Sequence, residues 1–187
     1  MRLFVGVDVG GGSATAPDHL TLAFLGDGPP ERVPALAQAL APVAAGSRPF
    51  DLVLAGWGAF PDPARPRVVW IGVRDGAAPL TALAHAVRAA IARVGAPRDD
   101  RPFHPHLTVL RVRGPRDLAR ARALLDGTVP APPARRARID ALLLKESTLA
   151  PAGPVHRTIG RWALAGAGPA GDQPAADAES ATSRRQR

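Results

Sequence analysis

The triplet His-Leu-Thr occurs twice in the sequence, at residues 19–21 and 106–108. Each copy lies in a run of apolar and β-branched residues that is typical of a strand. Side chains alternate between the two faces of a strand, so His19 and Thr21 are predicted to share one face, as are His106 and Thr108. Each motif therefore offers one imidazole beside one hydroxyl.

The same alternation predicts the neighbours of each motif. In the first strand, the residues predicted on the side of His19 are Thr21, Ala23 and Leu25, and those predicted on the opposite side are Leu20, Leu22 and Phe24. In the second strand, Thr108 and Leu110 are predicted beside His106, and Leu107 and Val109 on the opposite, buried face.

Two such motifs suit the hydrolysis of a phosphodiester. This reaction needs a base for the attacking water, an acid for the leaving oxygen and donors for the phosphoryl oxygens. Histidine titrates near pH 6.5, so one ring can be neutral while the other is protonated, and no metal is then required. The threonine hydroxyls could donate hydrogen bonds to the same phosphate.

The composition bounds the possible partners. The 187 residues fit one domain or two small lobes that share a core, and 24 basic against 16 acidic residues give a net charge of +8. Every basic residue except Lys145 is Arg, which suits an anionic nucleic acid, although an Arg-rich genome would give the same bias. With no cysteine, no export signal and no long apolar stretch, a cytoplasmic protein without a membrane span is expected.

The pattern along the chain is that of an α+β protein. Strands are predicted near residues 2–8, 19–25, 50–57, 67–73, 106–112, 136–144 and 155–164, and helices over 30–45, 77–94 and 115–126. Pro34 and Pro42 are expected to shorten or kink the first helix. In the second helix, Arg88 is predicted on the polar side, and the buried side is predicted to hold Leu80, Leu83, Ala84, Val87, Ile91 and Val94. Residues 166–187 have almost no large apolar side chain and are predicted to form a disordered tail, which leaves a domain over 1–165.

An internal repeat links the two motifs. The segments HLTLAFLGDGPPERVPAL and HLTVLRVRGPRDLARA both run from a His-Leu-Thr strand through Gly-Pro into a helix. Two similar lobes that each contribute one motif strand to a central cleft would explain the repeat and the number of strands.

The sequence resembles a known family, the bacterial RNA 2′,3′-cyclic phosphodiesterases of the two-histidine phosphoesterase superfamily. These proteins are also called 2′-5′ RNA ligases. The resemblance rests on MRLFVGVDV, HLTLAFLG, FDLVLAGWGAFPDPARPRVVWIGV, RPFHPHLTVLRVR and IDALLLKESTLAPAGPVHRTIGRWAL, and it spans about residues 1–165. It implies a bilobal fold of antiparallel strands with helices outside and a central cleft. It also implies opening of RNA 2′,3′-cyclic phosphates to 2′-phosphates. No cofactor is expected, and the protein is expected to be a monomer.

The resemblance further implies roles for single residues. His19 would be the general acid toward the 3′ oxygen and His106 the general base for water. Thr21 and Thr108 would hold phosphoryl oxygens, with Arg111 as a further cation near the phosphate. His104 would be a cation at the rim of the substrate site, or a solvated loop residue, and His156 stands where relatives often have an aromatic residue that stacks on a base.

One departure and two alternatives accompany these expectations. Gly10-Gly11-Gly12-Ser13 replaces a longer segment of the family that includes a helix, so a compact turn before His19 and a more open cleft are expected. One alternative is a zinc enzyme that uses His104, His106 and His19 as ligands. The other is a basic module that binds RNA ends, or a 2′-5′ RNA ligase, without significant hydrolysis.

Overall fold

The structure is a computed structural model of the chain that describes residues 1–10, 18–96, 101–150 and 153–166. The strands are β1 (Arg2–Asp8), β2 (His19–Asp27), β3 (Phe50–Phe60), β4 (Val68–Asp75), β5 (His106–Arg111), β6 (Arg135–Ile139), β7 (Ala141–Ala150) and β8 (Gly153–Ala163). The helices are α1 (Arg32–Ala45), α2 (Ala77–Arg93) and α3 (Pro115–Leu125). The α+β class predicted from the sequence is confirmed.

Two antiparallel sheets of four strands each carry one motif. The first sheet has the order β2-β1-β7-β8 and the second sheet the order β5-β4-β3-β6. Both motif strands, β2 and β5, are therefore edge strands, and these two edges contact each other. The predicted arrangement of two similar lobes, each contributing one motif strand, is confirmed.

The single strand predicted near residues 136–144 is wrong. This run forms two strands, because the chain leaves the second sheet after β6, turns at Asp140 and enters the first sheet as β7. The carbonyl of Asp140 accepts a hydrogen bond from the backbone N–H of Leu164 at the end of β8 (2.8 Å). A continuous run of β-forming residues cannot reveal such a change of sheet, since both halves alternate in the same way.

One large core lies beneath both sheets. Helix α2 buries the apolar side of the predicted helix, namely Leu80, Leu83, Ala84, Val87 and Ile91. Val94 was expected on this side but is 37% exposed, because the helix ends at Arg93. A second, smaller core of Val69, Ala121 and Leu124 joins α3 to the second sheet.

Helix α1 runs over 14 residues from Arg32 to Ala45, so the shortening expected from its two prolines is not observed. Pro34 lies in the first turn, where a missing N–H leaves no intrahelical bond unmade. The end of α1 also holds the end of the described chain: Ala44 O accepts from Ala165 N (3.3 Å) and Ser47 O from Gly166 N (2.9 Å).

Two predictions concern residues outside the described ranges. The Gly-rich turn lies outside the described residues from residue 11 to residue 17, and so does the predicted tail beyond Gly166. Within the described ranges, no helix has the length and apolar content needed to cross a membrane.

Candidate active site

The side chains of His19, Thr21, His106 and Thr108 lie on neighbouring edge strands, and we call the surface that they form the histidine face. In both triplets the central leucine is buried, Leu20 at 0% and Leu107 at 2% exposure, whereas the histidines and threonines are only partly covered. The alternation predicted for the two triplets is thus observed. Burial of the leucine in the shared core fixes which way each imidazole points.

Beyond the triplets the predicted alternation is wrong, because each motif strand contains a β-bulge at the same position. In β2, Gly6 pairs with Thr21 and Val5 with Ala23, which leaves Leu22 as an extra residue. In β5, Trp70 pairs with Thr108 and Val69 with Leu110, which leaves Val109 extra. A bulge exchanges the faces of all residues that follow it.

The bulges decide which side chains join the histidine face. After the bulge in β2, Ala23 and Leu25 are buried, and Phe24 is 47% exposed with its ring 6.4 Å from that of Phe4. After the bulge in β5, Leu110 packs into the second core and Arg111, opposite Val68, comes to the face of His106. Phe24 and Arg111 thus occupy equivalent positions of the repeat, five residues after each histidine.

His19 is paired with a carboxylate that the sequence reasoning did not identify. Its Nδ1 lies 2.7 Å from Asp18 Oδ1, and the ring packs on Phe4 at a centroid distance of 4.9 Å. Asp18 is held in turn by Lys145, whose Nζ lies 3.6 Å from Asp18 Oδ2 and 2.9 Å from Asp8 Oδ1. Lys145 is 3% exposed, and it is the only lysine in the sequence.

Opposing effects act on the pKa of His19. Burial lowers this pKa, and the nearby charge of Lys145 lowers it further, whereas the hydrogen bond and the negative charge of Asp18 raise it; the net direction is down. The pKa of Asp18 is also lowered: burial opposes ionisation, but the hydrogen bond to His19 and the charge of Lys145 outweigh it. The carboxylate is therefore ionised near neutral pH and supports the protonated form of His19.

His106 is held by a different kind of acceptor. Its Nδ1 lies 2.6 Å from the backbone carbonyl oxygen of His104. A carbonyl can only accept, so Nδ1 carries the hydrogen, and in the neutral ring Nε2 has a free lone pair. Burial lowers the pKa of His106, and the charge of Arg111 lowers it as well, so that the neutral ring is favoured.

Aromatic rings surround His106. Phe60 lies 5.0 Å from it edge to face, and Trp70 lies 6.1 Å away between the centroids. The ring of Trp70 covers Gly58, its partner on β3, where a Cβ atom would overlap with the indole. The second sheet thus needs glycine at position 58 so that the indole can lie flat beside the motif.

His104 was predicted as a rim cation. Its exposed ring packs on Phe60 at 5.3 Å and on Trp70 at 4.9 Å, while its carbonyl orients His106. The prediction concerned only the side chain of His104, whereas the structure shows that its backbone carbonyl also bonds to His106.

His156 brings a third imidazole to the histidine face. On β8, it lies opposite Ser147, and its ring packs edge to face on His19 at 4.9 Å. Burial lowers the pKa of His156, as do the charges of His19 and of Arg111. The charge of Arg111, from the second sheet, therefore affects a histidine of each sheet, His106 and His156.

Both threonine hydroxyls are available to a ligand. Thr21 lies opposite Gly6 on β1 and Thr108 opposite Trp70 on β4. Both are partly exposed, and neither hydroxyl has a hydrogen-bond partner among the residues that the structure describes. In the same part of the chain, no three His, Cys, Asp or Glu side chains are grouped so that they could hold a metal ion.

Arg88 ties the two motifs together, although the sequence places it on the polar side of α2. Its Nε donates to the carbonyl of Leu22, the bulged residue of β2 (3.2 Å), and one Nη donates to the carbonyl of Arg101 (2.8 Å). Its guanidinium also lies 5.5 Å from the centre of the Phe103 ring, just before the second motif. Only the tertiary structure reveals this link.

Comparison with known proteins points to one family. The family model described as the 2′-5′ RNA ligase superfamily matches residues 11–149. The RNA 2′,3′-cyclic phosphodiesterase of Geobacillus stearothermophilus is 48% identical over 93 residues, which are 50% of this chain and 29% of that protein. The protein of the same name from Archaeoglobus fulgidus is 34% identical over 181 residues, covering 85% of this chain and 98% of that protein.

The fold has a close counterpart among solved structures. The crystal structure of TT0787 of Thermus thermophilus superimposes with a TM-score of 0.69 at 27% identity, covering 90% of this chain and all of that chain. Sequence and fold agree on one family: this chain belongs to the 2′-5′ RNA ligase superfamily.

Proposed function

We propose that this protein hydrolyses RNA 2′,3′-cyclic phosphate ends to 2′-phosphates by metal-independent acid–base catalysis between His19 and His106. The observation that carries the proposal is the pair of imidazoles on adjoining edge strands, each with its Nδ1 held by an oxygen and its Nε2 left for the substrate. Relatives named RNA 2′,3′-cyclic phosphodiesterases support the choice of substrate.

The two Nδ1 partners support different roles. The Asp18 carboxylate favours protonated His19, which suits a general acid. The His104 carbonyl keeps the hydrogen of neutral His106 on Nδ1, and burial favours the neutral ring, so its Nε2 suits a general base. His106 Nε2 takes a proton from water, and the oxygen of that water forms the new bond to phosphorus. The bond from phosphorus to the 3′ oxygen breaks, and that oxygen takes a proton from His19 Nε2.

The remaining site residues would stabilise charge on the phosphate. The hydroxyls of Thr21 and Thr108 and the guanidinium of Arg111 would donate to phosphoryl oxygens, and His104 would contribute at the rim. The product carries a 2′-phosphate and a 3′ hydroxyl. The histidines exchange protons with solvent before the next turnover. If the 5′ hydroxyl of a second RNA replaced water, the same steps would form a 2′-5′ link.

Turnover of adenosine 2′,3′-cyclic phosphate, followed by phosphorus NMR in EDTA, tests the proposal. We expect the wild type to form adenosine 2′-phosphate, and His19→Ala and His106→Ala each to lose at least about 10²-fold in kcat. His85→Ala, which changes an exposed histidine on α2, is the matched control and should keep wild-type activity. Loss of the wild-type activity in EDTA with recovery in zinc would instead support a metal enzyme.

Two further outcomes separate the alternatives. Binding of the nucleotide by the wild type without turnover would favour a module that only binds RNA ends. Joining of added RNA with a 5′ hydroxyl, without 2′-phosphate formation, would favour a ligase. We also propose that the protein is a cytoplasmic monomer and that residues 1–165 form its functional unit. Light scattering after size-exclusion chromatography tests the oligomeric state. The activity of a variant without residues 166–187 tests the functional unit, and we expect that activity to be full.

A further inference from the structure

The positive charge of the chain is concentrated in one lobe. Residues 50–75 and 101–139, which form the second sheet and α3, contain 12 Arg and 5 Asp, so their net charge is 12 − 5 = +7. The whole chain has a net charge of +8, which leaves 8 − 7 = +1 for all other residues. An Arg-rich composition by itself would not place the excess charge on one side of the active site.

Three arginines lead outward from the histidine face, and we call Arg111, Arg113 and Arg116 the arginine track. Arg111 ends β5 opposite Val68, and Arg113 follows two residues later at the start of the depression beside α3. Burial lowers the pKa of Arg111, and the charge of Arg113 lowers it further. Arg113 and Arg116 line one open surface depression at the start of α3. Asp117 also lines it, and its carboxylate accepts a hydrogen bond from the backbone N–H of Arg113 (2.9 Å).

Ion pairing differs among the arginines of this lobe, and the Asp117 carboxylate that lines the depression accepts its hydrogen bond from a backbone N–H. Some other arginines of this lobe form ion pairs, such as Arg74 with Asp75 at 3.2 Å and Arg138 with Asp51 at 3.4 Å. For the three track residues, which are all exposed, no ion pair occurs within the described part of the chain. Unpaired guanidiniums on a surface suit phosphate groups, which they bind through planar, often bidentate contacts.

We propose that the arginine track binds the RNA strand on the 5′ side of the cyclic phosphate. This inference rests on the proposed function, because the cyclic phosphate between the histidines fixes where the strand ends. The rest of the strand must leave the histidine face over one lobe, and the second sheet carries the excess positive charge. Contacts to backbone phosphates read no bases, so the track serves an RNA of any sequence.

The experiment compares two substrates, adenosine 2′,3′-cyclic phosphate and an oligoadenylate that ends in the same group. We expect the wild type to have a lower KM for the oligoadenylate. The double variant Arg113→Gln/Arg116→Gln should raise that KM by at least about threefold and leave the mononucleotide kinetics unchanged. It should also reduce the slope of log KM against log salt by about 1.4, since each phosphate contact on a single strand contributes about 0.7.

The matched control is Arg48→Gln/Arg93→Gln, which removes two exposed arginines outside the charged lobe. The control variant should have the wild-type KM for both substrates. Three results would each overturn the proposal: an equal rise in KM in the two double variants, an equal rise in KM for the two substrates, or a wild type with no lower KM for the oligoadenylate. Absence of turnover on both substrates would instead contradict the proposed function, so the two failures are distinguishable.

Discussion

The pairing of Asp18 with His19 leads to a specific prediction for Asp18→Asn. The asparagine keeps an oxygen that can accept the hydrogen bond from Nδ1, but it removes the negative charge. Burial already lowers the pKa of His19, and the carboxylate opposes that effect. Without the charge the pKa of His19 falls further, so the general acid loses its proton at a lower pH than in the wild type.

The size of the effect follows from the geometry. Nδ1 and Oδ1 are 2.7 Å apart, and the two side chains are 17% and 44% exposed, so water screens the pair. At that separation two unit charges in water interact by roughly 1.5 kcal/mol. Such an energy corresponds to a factor of about 10 in rate. We therefore expect kcat/KM to fall about tenfold on the alkaline side of the profile and to change little on the acid side.

The assay is kcat/KM for adenosine 2′,3′-cyclic phosphate from about pH 5 to about pH 9, which spans the titration of both imidazoles. Titration of the His19 ring by NMR gives the change in its pKa independently of turnover. Asp27→Asn, at the far end of β2 from His19 and with a side chain that is 74% exposed, is the matched control. A profile of Asp18→Asn that superimposes on the wild type, or a loss that is equal at every pH, would refute the electrostatic role of Asp18.

Three further predictions concern the support of the site. Arg88→Met should lower kcat and increase protease sensitivity near both motifs, because it removes the hydrogen bonds to Leu22 on β2 and to Arg101, just before β5. Gly58→Ala should lower the free energy of unfolding by about 1–3 kcal/mol in urea titrations, because the new methyl overlaps the Trp70 ring. The folded-state pKa values of His19 and His106 lie below their ordinary value, so the unfolded chain binds protons more readily. Unfolding free energy should therefore fall below about pH 6.5, by up to about 1.4 kcal/mol per pH unit for each histidine.

Each of these predictions has a control or a contrary result. Arg93→Met removes an exposed arginine from the same helix and should leave kcat unchanged. In Gly114→Ala the new methyl meets no atom within 4 Å, so this variant should lose less free energy of unfolding than Gly58→Ala; it loses only the preference for Gly over Ala at the N-cap of α3. If the free energy of unfolding rose as the pH fell from about 6.5 toward about 5, the direction of the histidine pKa shifts would be wrong.

Much of the site could be predicted from the sequence, because the information is local. Each triplet shows through strand alternation that an imidazole and a hydroxyl share a face, and the repeat shows that the two strands have equivalent places in the fold. The apolar spacing of α2 likewise predicted its buried side. These features depend on the period of a strand or a helix, which a sequence displays directly.

Other features depended on pairing between strands, which the sequence does not display. The bulges at Leu22 and Val109 change the faces of Phe24 and Arg111, and the change of sheet at Asp140 divides one β-forming run into two strands. Both follow from the register that neighbouring strands adopt once the core has formed.

The hydrogen-bond partners of the two histidines were likewise only partly visible in the sequence. Asp18 is adjacent to His19 in the chain, but the buried Lys145 that holds it comes from β7, more than a hundred residues later. The carbonyl beside His106 belongs to the backbone and has no sequence signature at all. The sequence thus determined which groups can exchange protons. The tertiary structure decided which group accepts the Nδ1 hydrogen bond of each histidine and what holds that group in place, because this depends on contacts between distant segments.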